Sequence, residues 1–314
     1  MEITPYLVQA LSPLHAGTGQ SAGVIDLPIA RMRATGIPFV PGSSLKGVLR
    51  SVTLPTESPE RDVHTAAFGP RRVQDGPEGD IALDHAGALI VADARLLALP
   101  VRSFAGTFAL VTSPLLLDLA RRDLVETPSV ANVPERFPRL SGRRAVVAAG
   151  PRCVNVHKDC LFLEDLDLPV KKEAMVADWA RLITAAVPKS ERRLIGERLV
   201  VVDDETMAFL WDTATEVTTR IRIDPTSETV EDGALWTEEY LPAETLLIGL
   251  LAARPSMRQG CARSAKELLA WTLERCGNAL QLGGKATIGR GRCRLLTWPT
   301  TDKRTKEKRH HAHP

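Results

Sequence analysis

Residues Leu282 to Arg292 read Leu-Gly-Gly-Lys-Ala-Thr-Ile-Gly-Arg-Gly-Arg, four glycines and three cations in eleven residues. The chemistry open to such a run is the binding of phosphate. Glycine lacks the Cβ that would hold the backbone away from a ligand, and it tolerates positive φ. Consecutive N–H groups can then converge on an anion, with Lys285, Arg290 and Arg292 adding charge beside them. A nucleotide-binding loop would need Gly-Lys-Ser/Thr leading into a helix. Here an apolar run follows, Cys293 to Trp298, and reads as a strand. The spacing points to a polynucleotide backbone rather than a mononucleotide.

A second anion site is encoded near the other end. Leu45, Val48, Leu49 and Val52 recur at helical spacing, so 43–52 is expected to be a helix, with Ser43, Lys46 and Arg50 away from the apolar stripe. Ser43 or Ser44 is placed to cap it, and Gly42 permits close approach. A helix start with a basic flank attracts anions. Between these sites, Val24-Ile-Asp-Leu-Pro-Ile29 sets one carboxylate, Asp26, inside an apolar run, just after a Gly-rich segment from His15 to Gly23.

The elements that must position these residues mix along the whole chain. Strands are expected at 3–12, 87–95, 101–104, 153–163 and 246–252, and helices at 113–122 and 173–186. Ser264-Ala-Lys-Glu267 is a capping box that opens a further helix, closed by Gly277. Residues 216–241 read as a hairpin. Val217, Thr219, Ile221 and Ile223 alternate against Thr218, Arg220 and Arg222, and Asp224-Pro-Thr-Ser227 supplies the turn. Prolines and charge make 55–79 a long loop and 126–142 an insertion with little regular structure. The C-terminal strand–helix–strand order suggests an α+β sheet with helices on one side. No linker divides the chain, so residues 1–300 are expected to form one domain.

Bulk composition narrows the function. Of 314 residues, 44% are hydrophobic, enough for a packed core, while the net charge is only +2. Any basic surface is therefore local. Aromatic content of 4% argues against a binding surface built on base stacking. Five cysteines form no Cys-x-x-Cys pair and no zinc pattern. Without a signal peptide or an apolar run of about 18 residues, a soluble cytoplasmic protein is expected, with no membrane partner. Lys303 to Arg309 carries five cations, then His310, His311 and His313. It is expected to be a disordered tail, either touching RNA or only solubilising.

Taken together, Ser12-Pro-Leu-His-Ala-Gly-Thr-Gly19, Ile25-Asp-Leu-Pro-Ile29 and Pro41-Gly-Ser-Ser-Leu-Lys-Gly-Val-Leu-Arg50 resemble the N-terminal signature of the RAMP superfamily of CRISPR proteins. Gly283 to Gly291 resembles its C-terminal glycine-rich loop. Ala66-Ala-Phe-Gly-Pro70 and Asp232-Gly-Ala-Leu-Trp-Thr-Glu-Glu-Tyr-Leu-Pro242 are similar to segments of the backbone subunit of type III-B (Cmr) effector complexes. The type III-A counterpart, which shares the Pro-Gly-Ser-Ser-Leu-Lys-Gly stretch, is the alternative. Residues 100–215 carry no motif.

The resemblance implies a ferredoxin-like (RRM-type) core with large insertions, including a thumb-like β-hairpin at about 216–242. It implies copies stacked along a CRISPR RNA beside other Cmr subunits, and cleavage of complementary target RNA by a divalent ion, Mg²⁺ or Mn²⁺. Asp26 then matches the catalytic aspartate, either holding the metal or taking the 2′-hydroxyl proton. His15 would transfer a proton or contact a phosphate, and Glu238 and Tyr240 would reach the scissile site or position the target. Ser43, Ser44, Lys46 and Arg50 would grip guide phosphates, facing Gly283, Gly284, Lys285 and Arg290, without reading sequence. The resemblance also leaves room for a scaffold subunit that packages guide RNA while cutting resides elsewhere.

Overall fold

The computed structural model describes residues 1–17, 25–70, 85–138, 140, 142–150, 152–277 and 279–299. The basic tail and most of the Gly-rich stretch before Asp26 lie outside the described residues. In chain order the first elements are β1 (Glu2–Ala10), β2 (Phe39–Val40), α1 (Gly42–Val52), α2 (Ser58–Phe68), β3 (Leu89–Val91), β4 (Ala94–Ser103), β5 (Thr107–Thr112) and α3 (Pro114–Val125). Then come β6 (Ala145–Ala148), β7 (Val156–His157), β8 (Cys160–Leu163), β9 (Leu166–Glu173), α4 (Ala174–Ala185), α5 (Arg192–Gly196), β10 (Leu199–Val202) and α6 (Asp204–Thr213). The last are β11 (Glu216–Ile223), β12 (Val230–Tyr240), β13 (Leu246–Ala253), α7 (Ala265–Cys276), β14 (Leu280–Gln281) and β15 (Arg292–Thr297).

These form a mixed α+β fold around one 13-stranded sheet, ordered β14-β15-β1-β13-β4-β5-β10-β6-β9-β8-β7, with β2 added to β4 and β3 to β13. Pairings are antiparallel except β5 with β10 and β6 with β9. β1 lies between β13 and β15, with Glu2 opposite Ala253 and Ala10 opposite Cys293. This pairing is what brings the N-terminal motif beside the C-terminal glycine loop.

Helices cover both faces of the sheet, not one. On one side Tyr6, Val8 and Ala10 of β1 share a core with Leu45 and Leu49 of α1, Leu210 of α6 and Leu268 of α7. On the other, Leu7 packs into a core with Leu117 of α3 and Trp179 and Ile183 of α4. The physical reason is legible in β6, β10 and β13. All are apolar throughout, whereas a strand with one wet face would alternate.

Other elements refine the expectations. The capping box is present: Ser264 Oγ accepts from Glu267 N at 3.3 Å, and Glu267 Oε2 accepts from Ser264 N at 2.8 Å. Residues 58–68, expected within a loop, form α2, which has a proline in its first turn and ends at Gly69 with φ 86°. That is an ordinary helix start and stop. The strand expected at 153–163 is a hairpin, because Lys158 (φ 47°) and Asp159 (φ 59°) turn the chain between β7 and β8. Two positive φ values in a two-residue loop match the twist of paired strands. Among the described residues of 126–142 no helix or strand occurs, and Trp179 Nε1 donates to Arg136 O at 3.0 Å to hold that segment down. No described helix is long and apolar enough to cross a membrane.

Gly249 of β13 lies opposite Tyr6, whose hydroxyl donates to Ala92 O at 2.7 Å. A Cβ at 249 would sit 2.5 Å from Tyr6 Oη and 2.8 Å from Asp93 O. Gly249→Ala is expected to cost about 1–3 kcal/mol through overpacking, read as a lower urea midpoint with unchanged slope. An unchanged midpoint would show that the sheet absorbs the methyl.

Candidate active site and nucleic-acid interface

β11 and β12 form a two-stranded ribbon of their own, the hairpin expected from the sequence. Glu216 pairs with Tyr240, Thr219 with Thr237 and Arg220 with Trp236. Its tip is held by Asp224 Oδ1, which accepts from Thr226 N at 2.7 Å and Ser227 N at 2.9 Å. Val217, Ile221, Ile223 and Leu235 are exposed along it. At the root, strand alternation sends Trp236, Glu238 and Tyr240 to one face of β12 and Thr237 and Glu239 to the other.

On the first face Glu238 is 1% exposed, and both of its oxygens are engaged. Oε1 accepts from Lys285 Nζ at 2.6 Å and Trp236 Nε1 at 2.7 Å. Oε2 accepts from the Tyr240 hydroxyl and from Arg220 Nε at 3.4 Å. Burial pushes the Glu238 carboxyl up, but the bonds from Lys285, Tyr240 and Trp236 and the Lys285 charge outweigh it and hold its pKa at about 2. The Tyr240 hydroxyl is pushed up, by burial first and then by its bond to Glu238. Arg290 lies over the Tyr240 ring at 4.8 Å, with Glu216 Oε2 at 3.9 Å.

The glycine loop runs strand to strand, as expected, from β14 to β15. Lys285 itself adopts φ 67°. At Gly283, with φ 70°, a Cβ would collide with the His15 carbonyl. Gly284 N donates to that carbonyl at 3.1 Å, and Gly291 N donates to Pro13 O at 2.9 Å. The glycines thus let the loop lie against the N-terminal segment, a protein backbone rather than a phosphate. His15 is buried, its Nδ1 donating to Glu239 O at 2.7 Å and its ring edge-on to Tyr240 at 5.6 Å. The structure therefore brings His15, Glu238, Tyr240, Gly283, Gly284, Lys285 and Arg290 together. Lys285, expected to face a phosphate, is also the ion partner of Glu238, because a buried carboxylate needs a counter-charge.

Asp26 belongs to the other face. The segment around it runs beside β12: Leu27 N donates to Thr237 O at 3.1 Å, and Glu239 N donates to Leu27 O at 3.0 Å. Asp26 Oδ2 accepts from Thr237 N at 2.8 Å and Thr237 Oγ1 at 3.0 Å, and Asp26 N donates to Thr237 Oγ1 at 3.1 Å. The side chain is exposed, and the Thr237 backbone and hydroxyl bonds hold its carboxyl below the usual range. Glu239 anchors the same segment, accepting from Ile29 N at 3.1 Å, Arg31 at 2.6 Å and Thr215 Oγ1 at 2.9 Å. Among the described residues no hydrogen bond or ion pair joins Asp26 to Glu238. Nor do three or more His, Cys, Asp or Glu gather in a metal-binding group. Among the described residues Asp26 is thus not part of a preformed cage.

Thr237, Glu239, Arg220 and Arg31 are site residues that sequence reasoning missed. The signal for Thr237 and Glu239 was the alternation along β12, in which 237 and 239 must face a different neighbour from 236, 238 and 240.

The Lys46 helix starts at Gly42, one residue earlier than expected. Its N-cap is Pro41, and no side chain caps it, so Ser43 and Ser44 do not cap; both are exposed in the first turn. Gly42 N donates to Asp93 Oδ1 at 2.7 Å, and a Cβ there would collide with Val91 O. Lys46 and Arg50 are half-buried rather than outward, because backbone carbonyls lie within their reach. Lys46 Nζ donates to Leu89 O at 2.8 Å and Arg50 to Gly69 O at 2.7 Å. Burial, then the Arg50 charge, lowers the Lys46 pKa. α1 packs beside β14, whose next residues are the glycine loop.

Known proteins resemble the chain over most of its length. Residues 7–294 match the RAMP superfamily. The CRISPR system Cmr endoribonuclease Cmr4 of Pyrococcus furiosus is 34% identical over 290 residues, covering 91% of this chain and 93% of that one. The crystal structure of oligomeric Cmr4 from Pyrococcus furiosus superposes with a TM-score of 0.71 at 27% identity, over 96% of this chain and 100% of that one. A chain of the type III-B Cmr-beta complex bound to cognate target RNA shares the fold, with a TM-score of 0.70 at 22% identity over 95% of this chain and 97% of that one. The chain belongs to the RAMP superfamily and, within it, to the Cmr4 family of type III-B CRISPR subunits.

Proposed function

We propose that this chain is the backbone subunit of a type III-B effector. It binds CRISPR RNA, stacks with further copies of itself and other Cmr subunits, and cuts complementary target RNA beside Asp26. The family relation supports the assignment, since the relative at 34% identity is named an endoribonuclease. The observation that carries the cleavage reading is the state of Asp26: exposed, held ionised by Thr237, and fixed at the root of a projecting ribbon. In this reading residues 1–300 work as one RAMP unit on a ferredoxin-like core, and the ribbon is the thumb that displaces a target base from the duplex.

The reaction is attack of a ribose 2′-oxygen on the adjacent phosphorus, with the 2′-proton removed and the bond to the 5′-oxygen broken. Asp26 presents one hard oxygen, Oδ1, which suits Mg²⁺ or Mn²⁺ with water and RNA completing the shell. Such an ion, when bound, would offset the charge growing on the phosphate. A carboxylate held below its usual range is a weak base at neutral pH, so the electrostatic role fits Asp26 better than proton removal. His15 donates its Nδ1–H to Glu239 O, and a Cβ at Gly17 would lie 2.6 Å from its Nε2. Glu238 and Tyr240 act as the latch between ribbon and glycine loop. Ser43, Ser44, Lys46, Arg50, Gly283, Gly284, Lys285 and Arg290 form the guide-facing wall.

Assembled complexes carrying Asp26→Ala are expected to bind complementary RNA normally and to lose cleavage in Mg²⁺ or Mn²⁺. Regular cutting at an unchanged rate would return the chain to the role of scaffold. Glu238 gives a prediction in pH. Its folded pKa, about 2, lies below the ordinary 4.5, so the unfolded chain binds the proton more readily. The stabilisation is present above pH 4.5 and is lost as pH falls towards 2. Urea midpoints across that window should fall less steeply in Glu238→Gln than in the unsubstituted protein; parallel curves would deny the latch its charge.

A further inference from the structure

Asp26 and Thr237 are joined by three hydrogen bonds, two through the threonine hydroxyl and one through its backbone N–H. Its hydroxyl donates to Oδ2 while accepting from Asp26 N, and its backbone N–H donates to the same Oδ2. Only a hydroxyl can donate and accept in this way at once. Two donors converge on one carboxylate oxygen, and among the described residues no hydrogen bond reaches Oδ1. An exposed aspartate would ordinarily sample several rotamers. Here two hydrogen bonds tie Oδ2 to the strand beside it, and the β-branch of Thr237 restricts the hydroxyl's own rotamer. The half-buried Thr237 sits on β12 opposite Thr219, and its carbonyl accepts from Leu27 N. Backbone and side chain thus align the same pair.

We infer that Thr237 is the positioning residue of Asp26, committing Oδ2 to the ribbon so that Oδ1 alone is presented, in one direction, to the scissile phosphate. The inference deepens the cleavage reading above and rests on it. It also assigns the ribbon a second task. The strand that carries the latch residue Glu238 on one face aims the cleaving carboxylate from the other, so the ribbon's root and Asp26 share one frame.

The test uses assembled complexes with guide RNA and a complementary target, comparing Thr237→Val, Thr237→Ser and Asp26→Ala. Valine keeps the β-branched shape and removes the hydroxyl; serine restores it. Thr237→Val is expected to lower the single-turnover cleavage rate roughly ten- to a hundredfold, as misplacement of a reacting group does, while target affinity stays within about twofold. Thr237→Ser is expected to recover most of the rate, a rescue that a packing role would not give. A wild-type rate in Thr237→Val, a Thr237→Ser rate as low as that of Thr237→Val, or a loss of target binding matching the loss of rate would each overturn the assignment. If Thr237→Val does not assemble, Thr237→Ala decides by the same readings. Asp26→Ala separates the two levels. If it still cuts, the cleavage reading fails and takes this inference with it. If it is inactive while Thr237→Val cuts at full rate, only the role of Thr237 is overturned.

Discussion

A carboxylate buried at the root of a projecting ribbon sets the constraint on which the rest of the site depends. Leaving Glu238 unpaired would cost on the order of several kcal/mol. Its donors come from its own strand (Trp236, Tyr240), the facing strand (Arg220) and the far end of the chain (Lys285). Losing Lys285 would leave the buried charge with only the more distant Arg220 as its counter-charge. The ribbon's position and the register of the glycine loop are therefore a single variable. Lys285 reaches Glu238 from a backbone position of positive φ. The glycines on either side let the loop press close enough for that reach, with Gly283 against the His15 carbonyl and Gly291 against Leu282.

β12 works as a partition. Its Glu238 face holds the C-terminal loop, and its Thr237 and Glu239 face holds residues 26–31. His15 crosses between them, bonding Glu239's carbonyl while lying against Tyr240 and under the glycine loop. Two anionic centres are thereby kept apart in function. Glu238 is buried and saturated with donors, so its charge is structural. Asp26 is exposed and has one oxygen unengaged among the described residues, so its charge is available.

Much of this was legible in the sequence where a local pattern decides the outcome. The capping box at Ser264, the helix stripe through Leu45 and Leu49, and the ribbon alternation all depend on near neighbours. The strand-to-strand glycine loop could be read for the same reason. What was not legible depends on partners distant in the chain. Lys46 and Arg50 read as an outward basic face, and only the carbonyls of Leu89 and Gly69 turn them inward. Lys285 read only as a phosphate-facing cation because nothing local announces Glu238. The second layer of helices follows from α3 and α4 packing on a sheet whose strands are dispersed through the motif-poor middle.

Cations that are already tied to the protein are not thereby lost to RNA. An ammonium has three donors, and Lys46 and Lys285 are each seen donating one. A guanidinium has five, and Arg290 rests on the Tyr240 ring with a single distant carboxylate. Holding a long side chain in place before the ligand arrives removes part of the ordering cost of binding. It also fixes the directions of the remaining donors, which suits a phosphate backbone of regular spacing and no sequence. A chain of net charge +2 cannot depend on a broad positive field to hold RNA. In the proposed reading, a few cations pre-aimed by buried carbonyls and one buried carboxylate, beside the exposed first turn of α1, would do by geometry what excess charge would otherwise have to do.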